Sequence, residues 1–155
     1  MTAAPARRIR RTARIVLLDA EDRVLLFRYL AKGYPPFWIL AGGECEADED
    51  YPAAARRELR EETGIDAAPL EMRHVREADY EYAGEPVRAI EHYFHHRAHA
   101  PQIDTSGHTE VEREAMREYR WFTRAEIGGW EETIYPVDLT QLIAQVAASQ
   151  GEPTL

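Results

Sequence analysis

The chain has 155 residues, 45% of them hydrophobic and 30% charged, with 19 basic side chains against 28 acidic ones for a net charge of −9. That length is one domain by the usual prior of roughly 100–200 residues, so a second full domain is excluded and a single folding unit over residues 1–155 is expected, burying about 70% of the surface that its unfolded form exposes. The acidic balance argues against a general duplex-DNA binder or an anionic-membrane binder with a broad basic face, and leaves a metal-mediated route to an anionic ligand open.

The opening carries Arg7, Arg8, Arg10 and Arg11 with no acid. An organellar transit peptide has that composition, but a strand pattern follows at once, so residues 1–12 read as a flexible, solvated basic arm. No apolar stretch has the length of a membrane span or the form of a secretory signal. Cys45 is the single cysteine, which excludes an intramolecular disulfide and fits a reducing cytoplasm.

Residues 13–18 and 23–29 are β-rich runs joined by the polar turn Asp19-Ala20-Glu21-Asp22, and predict a hairpin. Gly33-Tyr34-Pro35-Pro36 breaks regular structure, residues 37–40 are a short apolar run, and Gly42-Gly43 opens a loop crowded with acids. From Asp50 the signals turn helical: Asp50 as cap, Pro52 in the first turn, Ala53-Ala54-Ala55 and Leu59 as helix formers, and Gly64 as the left-handed stop. Residues 70–82 and 87–98 read as two longer strands around a turn at 83–86. Residues 101–117, polar with Gly107, read as a long mobile loop. A short strand at 119–122 precedes Thr123-Arg124-Ala125-Glu126, which has the spacing of a capping box. Leu139, Leu142, Ile143, Val146 and Ala147 recur at three and four, so a last helix starts near Asp138 and ends at Gly151.

Glu58, Glu61 and Glu62 stand at i, i+3 and i+4 of the predicted helix, within an arc of about 100°. Three carboxylates on one face repel unless something screens them. A surface helix with Arg56, Arg57 and Arg60 would do so, and so would a hard divalent cation, Mg²⁺ being the usual one where phosphate oxygens complete the shell.

The flanking residues favour the cation. Gly43, Glu49, Arg57-Glu58-Leu59, Glu61-Glu62 and Gly64-Ile65 fall in one ordered pattern over residues 43–65. Nine constrained matches arise by chance on the order of once in ten million for a chain this long at average residue usage. In this pattern the sequence resembles the Nudix hydrolase family, whose box has that order. The likeness extends upstream to Trp38-Ile39-Leu40-Ala41-Gly42-Gly43 and downstream to His92-Tyr93-Phe94 and Arg120-Trp121-Phe122, and so spans the domain.

The resemblance implies an α+β fold, a mixed and partly antiparallel β-sheet sandwiched between the box helix on one side and the C-terminal helix on the other; element order alone gives only α+β. It implies that Glu58, Glu61 and Glu62 bind Mg²⁺, with Mn²⁺ as an alternative, and that one of them activates water. Glu49 and Arg57 match a largely structural pair that ties loop to helix, and Gly43 and Gly64 match positions where a side chain would obstruct a turn. Two departures stand out: Ala41 where the family commonly has Pro, and Asp48 where it often has Gly. Neither removes a ligand.

Three helix glutamates cannot fill the octahedral shells of two or more Mg²⁺ ions, and family members commonly supply a further acid from the loop before the strand that here carries Trp121. That loop offers Glu110, Glu112, Glu114 and Glu118, and Glu114 is chosen as a residue able to swing in with substrate. Gly42, Gly43, Arg28 and Tyr34 are the substrate-binding candidates, Arg28 for a phosphate and Tyr34 for stacking on a base. Lys32 could equally meet a phosphate or lie on the surface, and Phe37 is read as core. His92, His95, His96 and His99 lack the carboxylate or cysteine of a recognisable metal set, since only alternate strand residues share a face; some of them are read as cleft lining. Cys45 is assigned no chemistry.

The implied activity is Mg²⁺-dependent hydrolysis of a phosphoanhydride bond in a nucleotide-type small molecule: an NTP or NDP, an ADP-ribose-like conjugate or a dinucleoside polyphosphate. No nucleic-acid or membrane partner is expected, and a homodimer is left open. The rival readings are a non-catalytic ligand-sensing domain of the same fold, which has no need of the full carboxylate set, and an isoprenoid diphosphate isomerase, which calls for a pocket cysteine away from the box.

Overall fold

The computed structural model describes residues 6–99, 102–116 and 118–151. In chain order the elements are β1 (Arg8–Leu18), β2 (Val24–Tyr29), β3 (Phe37–Glu44), α1 (Tyr51–Thr63), β4 (Leu70–Tyr82), β5 (Glu85–Arg97), α2 (Glu110–Ala115), β6 (Glu118–Phe122), α3 (Arg124–Gly129), β7 (Thr133–Tyr135) and α4 (Leu139–Gly151). The strands form one mixed, curled sheet in the order β4-β5-β1-β2-β3-β7, with β6 paired to β2. β3 couples its two regions: its first half pairs with β2 at Phe37–Leu40, and its second half pairs with β1 at Ala41–Glu44.

Alternation along β1 and β2 sorts the core into two layers. Ala13, Ile15, Leu17, Leu25 and Phe27 point to one face and pack with Ala54, Ala55 and Leu59 of α1. Val16, Leu18, Val24 and Leu26 point to the other and pack with Leu139, Leu142, Ile143 and Val146 of α4. The chain is thus α+β, with the sheet between α1 and α4 as expected.

Two expectations are corrected here. The turn after β1 forms, with Asp19 Oδ1 accepting from the amides of Glu21 and Arg23, each at 2.9 Å, but β1 and β2 pair only at Leu18–Val24. β1 instead runs parallel to β5 over its whole length, from Arg8–Val87 to Leu18–Arg97, because its flanks are taken by β5 and β3. That pairing also starts the strand at Arg8, so Arg8, Arg10 and Arg11 belong to the sheet and not to an arm.

The segment read as a loop contains α2. Thr109 caps it, accepting from Glu112 N–H while the Glu112 side chain accepts from Thr109 N–H. Pro101 and Arg117, within that expected loop, lie outside the described residues, as does Ala100 just before it. α1 begins and ends as expected: Asp50 accepts from Ala53 N–H, and Gly64 at φ 79° donates to the Arg60 carbonyl. Among the described residues no helix is long and apolar enough to cross a membrane.

Candidate metal centre

The end of β3 crosses closely over α1, and two glycines make the crossing. Gly42 sits at φ 141°, and a Cβ there would collide with the Ala13 carbonyl of β1. Its N–H donates to Glu62 Oε2 at 2.8 Å. A Cβ on Gly43 would lie 2.6 Å from Glu58 Oε1. The bare backbone thus leaves room for two carboxylates under the strand.

Glu58 and Glu62 both stand on the buried stripe of α1, at 7% and 2% exposure. Burial pushes the Glu58 carboxyl up to about 7 against the pull of Arg57. Burial also holds Glu62 well above the carboxylate range, with the neighbouring Glu58 charge adding to it. Carboxyl groups kept in such surroundings are costly unless a cation or protons compensate.

A third carboxylate joins them from α2. Ligand oxygens of Glu58, Glu62 and Glu112 all lie within 4.8 Å of one another, the one group of metal-ligand spacing among the described residues. The Glu112 carboxylate is itself held by the Thr109 N–H, which donates to Oε1 at 2.9 Å. The donor set is all carboxylate oxygen from two separate elements, which fits a hard divalent cation whose remaining positions go to water or phosphate oxygens.

Glu114, the acid chosen from the sequence, does not enter this group. Two residues along a helix rotate the side chain by about 200°, and Glu114 lines a separate hollow with Tyr29, Leu30, Ala31, Val111 and Ala115. Glu61 is also outside it, 40% exposed and accepting from Arg57 at 3.1 Å. Glu118 accepts from Arg28.

Arg57 is the hub beside the centre. Its Nε and Nη2 donate to the two oxygens of Glu49, each at 2.8 Å, Nη2 also reaches the Glu44 carbonyl at 3.1 Å, and Nη1 donates to Glu58 Oε1 at 2.9 Å. This fork holds the Glu49 carboxyl below its ordinary range. The Glu49 and Arg57 side chains are brought together as the resemblance implies.

The other candidates fall elsewhere. Arg28 is engaged by two carboxylates, Glu132 at 2.7 and 3.0 Å and Glu118 at 3.3 Å, and Trp38 Nε1 donates to the same Glu132. Tyr34 is 61% exposed. Phe37 stacks on Tyr29 at 5.2 Å, in keeping with a packing role. His92 stacks on Tyr51 at 3.6 Å, and no histidine belongs to a group of metal-ligand spacing among the described residues. Sequence reasoning passed over His108, which is 5% exposed and contacts the Glu62 carbonyl through Nε2 at 2.9 Å; a histidine just before an overlooked capping box was its only signal.

The family model described as NUDIX domain matches residues 8–145, from the first strand into the last helix. The chain belongs to the Nudix hydrolase family. A curated relative, the m7GpppN-mRNA hydrolase NUDT17 of Danio rerio, is 37% identical over 60 residues, which cover 37% of this chain and 20% of that protein; the chain thus spans about a fifth of that relative's length. Similar solved Nudix folds include the dihydroneopterin triphosphate pyrophosphohydrolase of E. coli (TM-score 0.68, 22% identity, covering 92% of this chain and 99% of that one). The MutT protein of Methanosarcina mazei Go1 (TM-score 0.66, 18%, 96% and 100%) and the NUDIX domain of Shewanella oneidensis NrtR complexed with ADP ribose (TM-score 0.65, 18%, 95% and 90%) are similar as well. At these identities the structures share the Nudix fold with this chain.

Proposed function

We propose that this Nudix domain hydrolyses a phosphoanhydride bond in a nucleoside diphosphate derivative, with Mg²⁺ or Mn²⁺ held by Glu58, Glu62 and Glu112. The observation that carries the reading is the convergence of these carboxylates from α1 and α2 within 4.8 Å, two of them buried. Bound there, the cation would neutralise charge developing on the phosphoryl oxygens and lower the pKa of an attacking water.

The chain's own groups prepare the site in distinct ways. The Gly42 amide fixes Glu62 Oε2, and Arg57 fixes Glu58 Oε1, so neither carboxylate needs to reorganise when ligand arrives. One of the α1 glutamates is proposed to take the proton of the attacking water, as the resemblance implies. Glu61, at the rim beside Arg57, is proposed as a ligand engaged only when substrate brings a further divalent cation. Gly42 and Gly43 offer a close backbone approach to the substrate.

A substrate panel with Mg²⁺ tests this reading. It comprises ADP-ribose, dihydroneopterin triphosphate, a dinucleoside tetraphosphate, an NTP and m7GpppN-capped RNA, each a kind of molecule named for a relative or implied by the box. Turnover of at least one small nucleotide derivative, lost in Glu58→Gln/Glu62→Gln, is expected. No turnover of any member by folded protein, with ADP-ribose or another member still bound, would favour the ligand-sensing alternative.

A further inference from the structure

The last turn of a helix leaves carbonyls without partners in the helix, and a buried end needs donors from elsewhere. At the end of α1 the Gly64 N–H takes the Arg60 carbonyl, and one distant segment meets the next three. Asp104 N–H donates to the Thr63 carbonyl at 2.9 Å. His108 Nε2 contacts the Glu62 carbonyl at 2.9 Å. Gly107 lies so close to the Glu61 carbonyl that a Cβ would stand 2.6 Å from its oxygen.

A carbonyl only accepts, so His108 carries a proton on Nε2 and donates. Its ring packs against Phe27 with centroids 5.6 Å apart, which fixes its orientation together with the hydrogen bond. The next residue, Thr109, caps α2, and Glu112 is the third residue of that helix. The segment that closes the end of α1 is therefore the one that delivers the third carboxylate to Glu58 and Glu62.

We propose that His108 is a positioning residue. By tying the start of α2 to the Glu62 carbonyl it sets the reach of Glu112 to the two α1 carboxylates, and through it the affinity of the centre for a divalent cation. This rests on the reading of Glu112 as a ligand. A histidine that only fills space affects melting alone. One that acts through Glu112 changes cation affinity, and its effect does not add to that of removing Glu112.

Titration of the full chain with Mn²⁺ alone, following free Mn²⁺ by electron paramagnetic resonance, separates these cases when metal-free melting temperatures are recorded in parallel. Glu112→Gln, which removes a ligand, is expected to weaken Mn²⁺ at least about tenfold, and His108→Ala about tenfold, the low end for groups that orient ligands. The double variant should bind no more than about twofold weaker than Glu112→Gln. His108→Gln, which keeps an N–H donor, should restore most of the affinity. Gly107→Ala, which leaves the ring but presses its segment off the Glu61 carbonyl, should weaken Mn²⁺ in the same direction and carries the test if His108→Ala does not fold. Wild-type affinity in Glu112→Gln would overturn the ligand reading and this proposal with it. A weakened Glu112→Gln beside wild-type affinity in His108→Ala and Gly107→Ala, or losses that multiply in the double variant, would overturn the positioning role alone.

Discussion

The Gly42 amide donates to Glu62 Oε2 at 2.8 Å, so the strand leading into α1 holds a carboxylate from the last turn of that helix. The two adjacent glycines predict different outcomes on substitution. Gly42→Ala places a Cβ against the Ala13 carbonyl at a left-handed φ and should cost at least about 3 kcal/mol. Gly43→Ala meets only the Glu58 carboxylate, the far end of a flexible side chain, so the protein should fold with little change in melting temperature while turnover falls at least tenfold. Thermal melts and turnover on both variants check this; equal destabilisation by the two would contradict it.

Arg57 makes two bonds to Glu49 and one each to Glu58, Glu61 and the Glu44 carbonyl. Removing it leaves half-buried carboxylates without their counter-charge, which should cost about 3 kcal/mol, or roughly 6–12 °C in melting temperature for a chain of this size. Glu49→Gln should cost less, since Arg57 keeps its other acceptors. A larger loss for Glu49→Gln than for Arg57→Ala would show that the arginine is not the hub.

Stability of the metal-free protein should depend on pH through Glu58 and Glu62. Glu58 rises from an ordinary 4.5 to about 7 in the folded state, and Glu62 moves in the same direction. The native state then binds more protons than the unfolded chain between those values, so this contribution is complete below about 4.5 and is lost as pH rises through about 7. Relative to Glu58→Gln/Glu62→Gln, the wild type should lose melting temperature between about pH 5 and pH 8, and Mg²⁺ should restore it at the upper end by binding the deprotonated pair. Parallel melting curves for the two proteins across that range would count against the carboxylate pair.

The two acids of α2 separate cleanly. Glu112 meets Glu58 and Glu62 whereas Glu114 faces the hollow beside Leu30. Glu112→Gln should therefore lower turnover at limiting Mg²⁺ about tenfold or more, and Glu114→Gln should leave it within about twofold. The reverse order would return the extra ligand to the residue first chosen from the sequence.

Local signals in the sequence were dependable where one residue does one job. Asp50 as cap, Gly64 as stop and the Thr123–Glu126 box each sit where they were read, because capping is decided within a few residues. Partner choice between strands is not local: Asp19 builds the turn after β1, yet β1 takes β5 and β3 as neighbours, which no short window encodes. α2 was missed because Ala115 is its only buried residue and Val111 is 73% exposed, leaving no apolar stripe to read. With the helix unseen, its phase was unseen too, and that phase is what separates Glu112 from Glu114. The α1 glutamates were legible as a face, but which of them are buried depends on how β3 crosses the helix at Gly42 and Gly43.

The most direct test of the central claim is the position of a bound cation. Crystals grown with Mn²⁺ and measured for its anomalous scattering should show a peak within coordinating distance of Glu58, Glu62 and Glu112 together. A peak held by Glu61 and Glu114 instead, or no peak near α1 at saturating Mn²⁺, would contradict it.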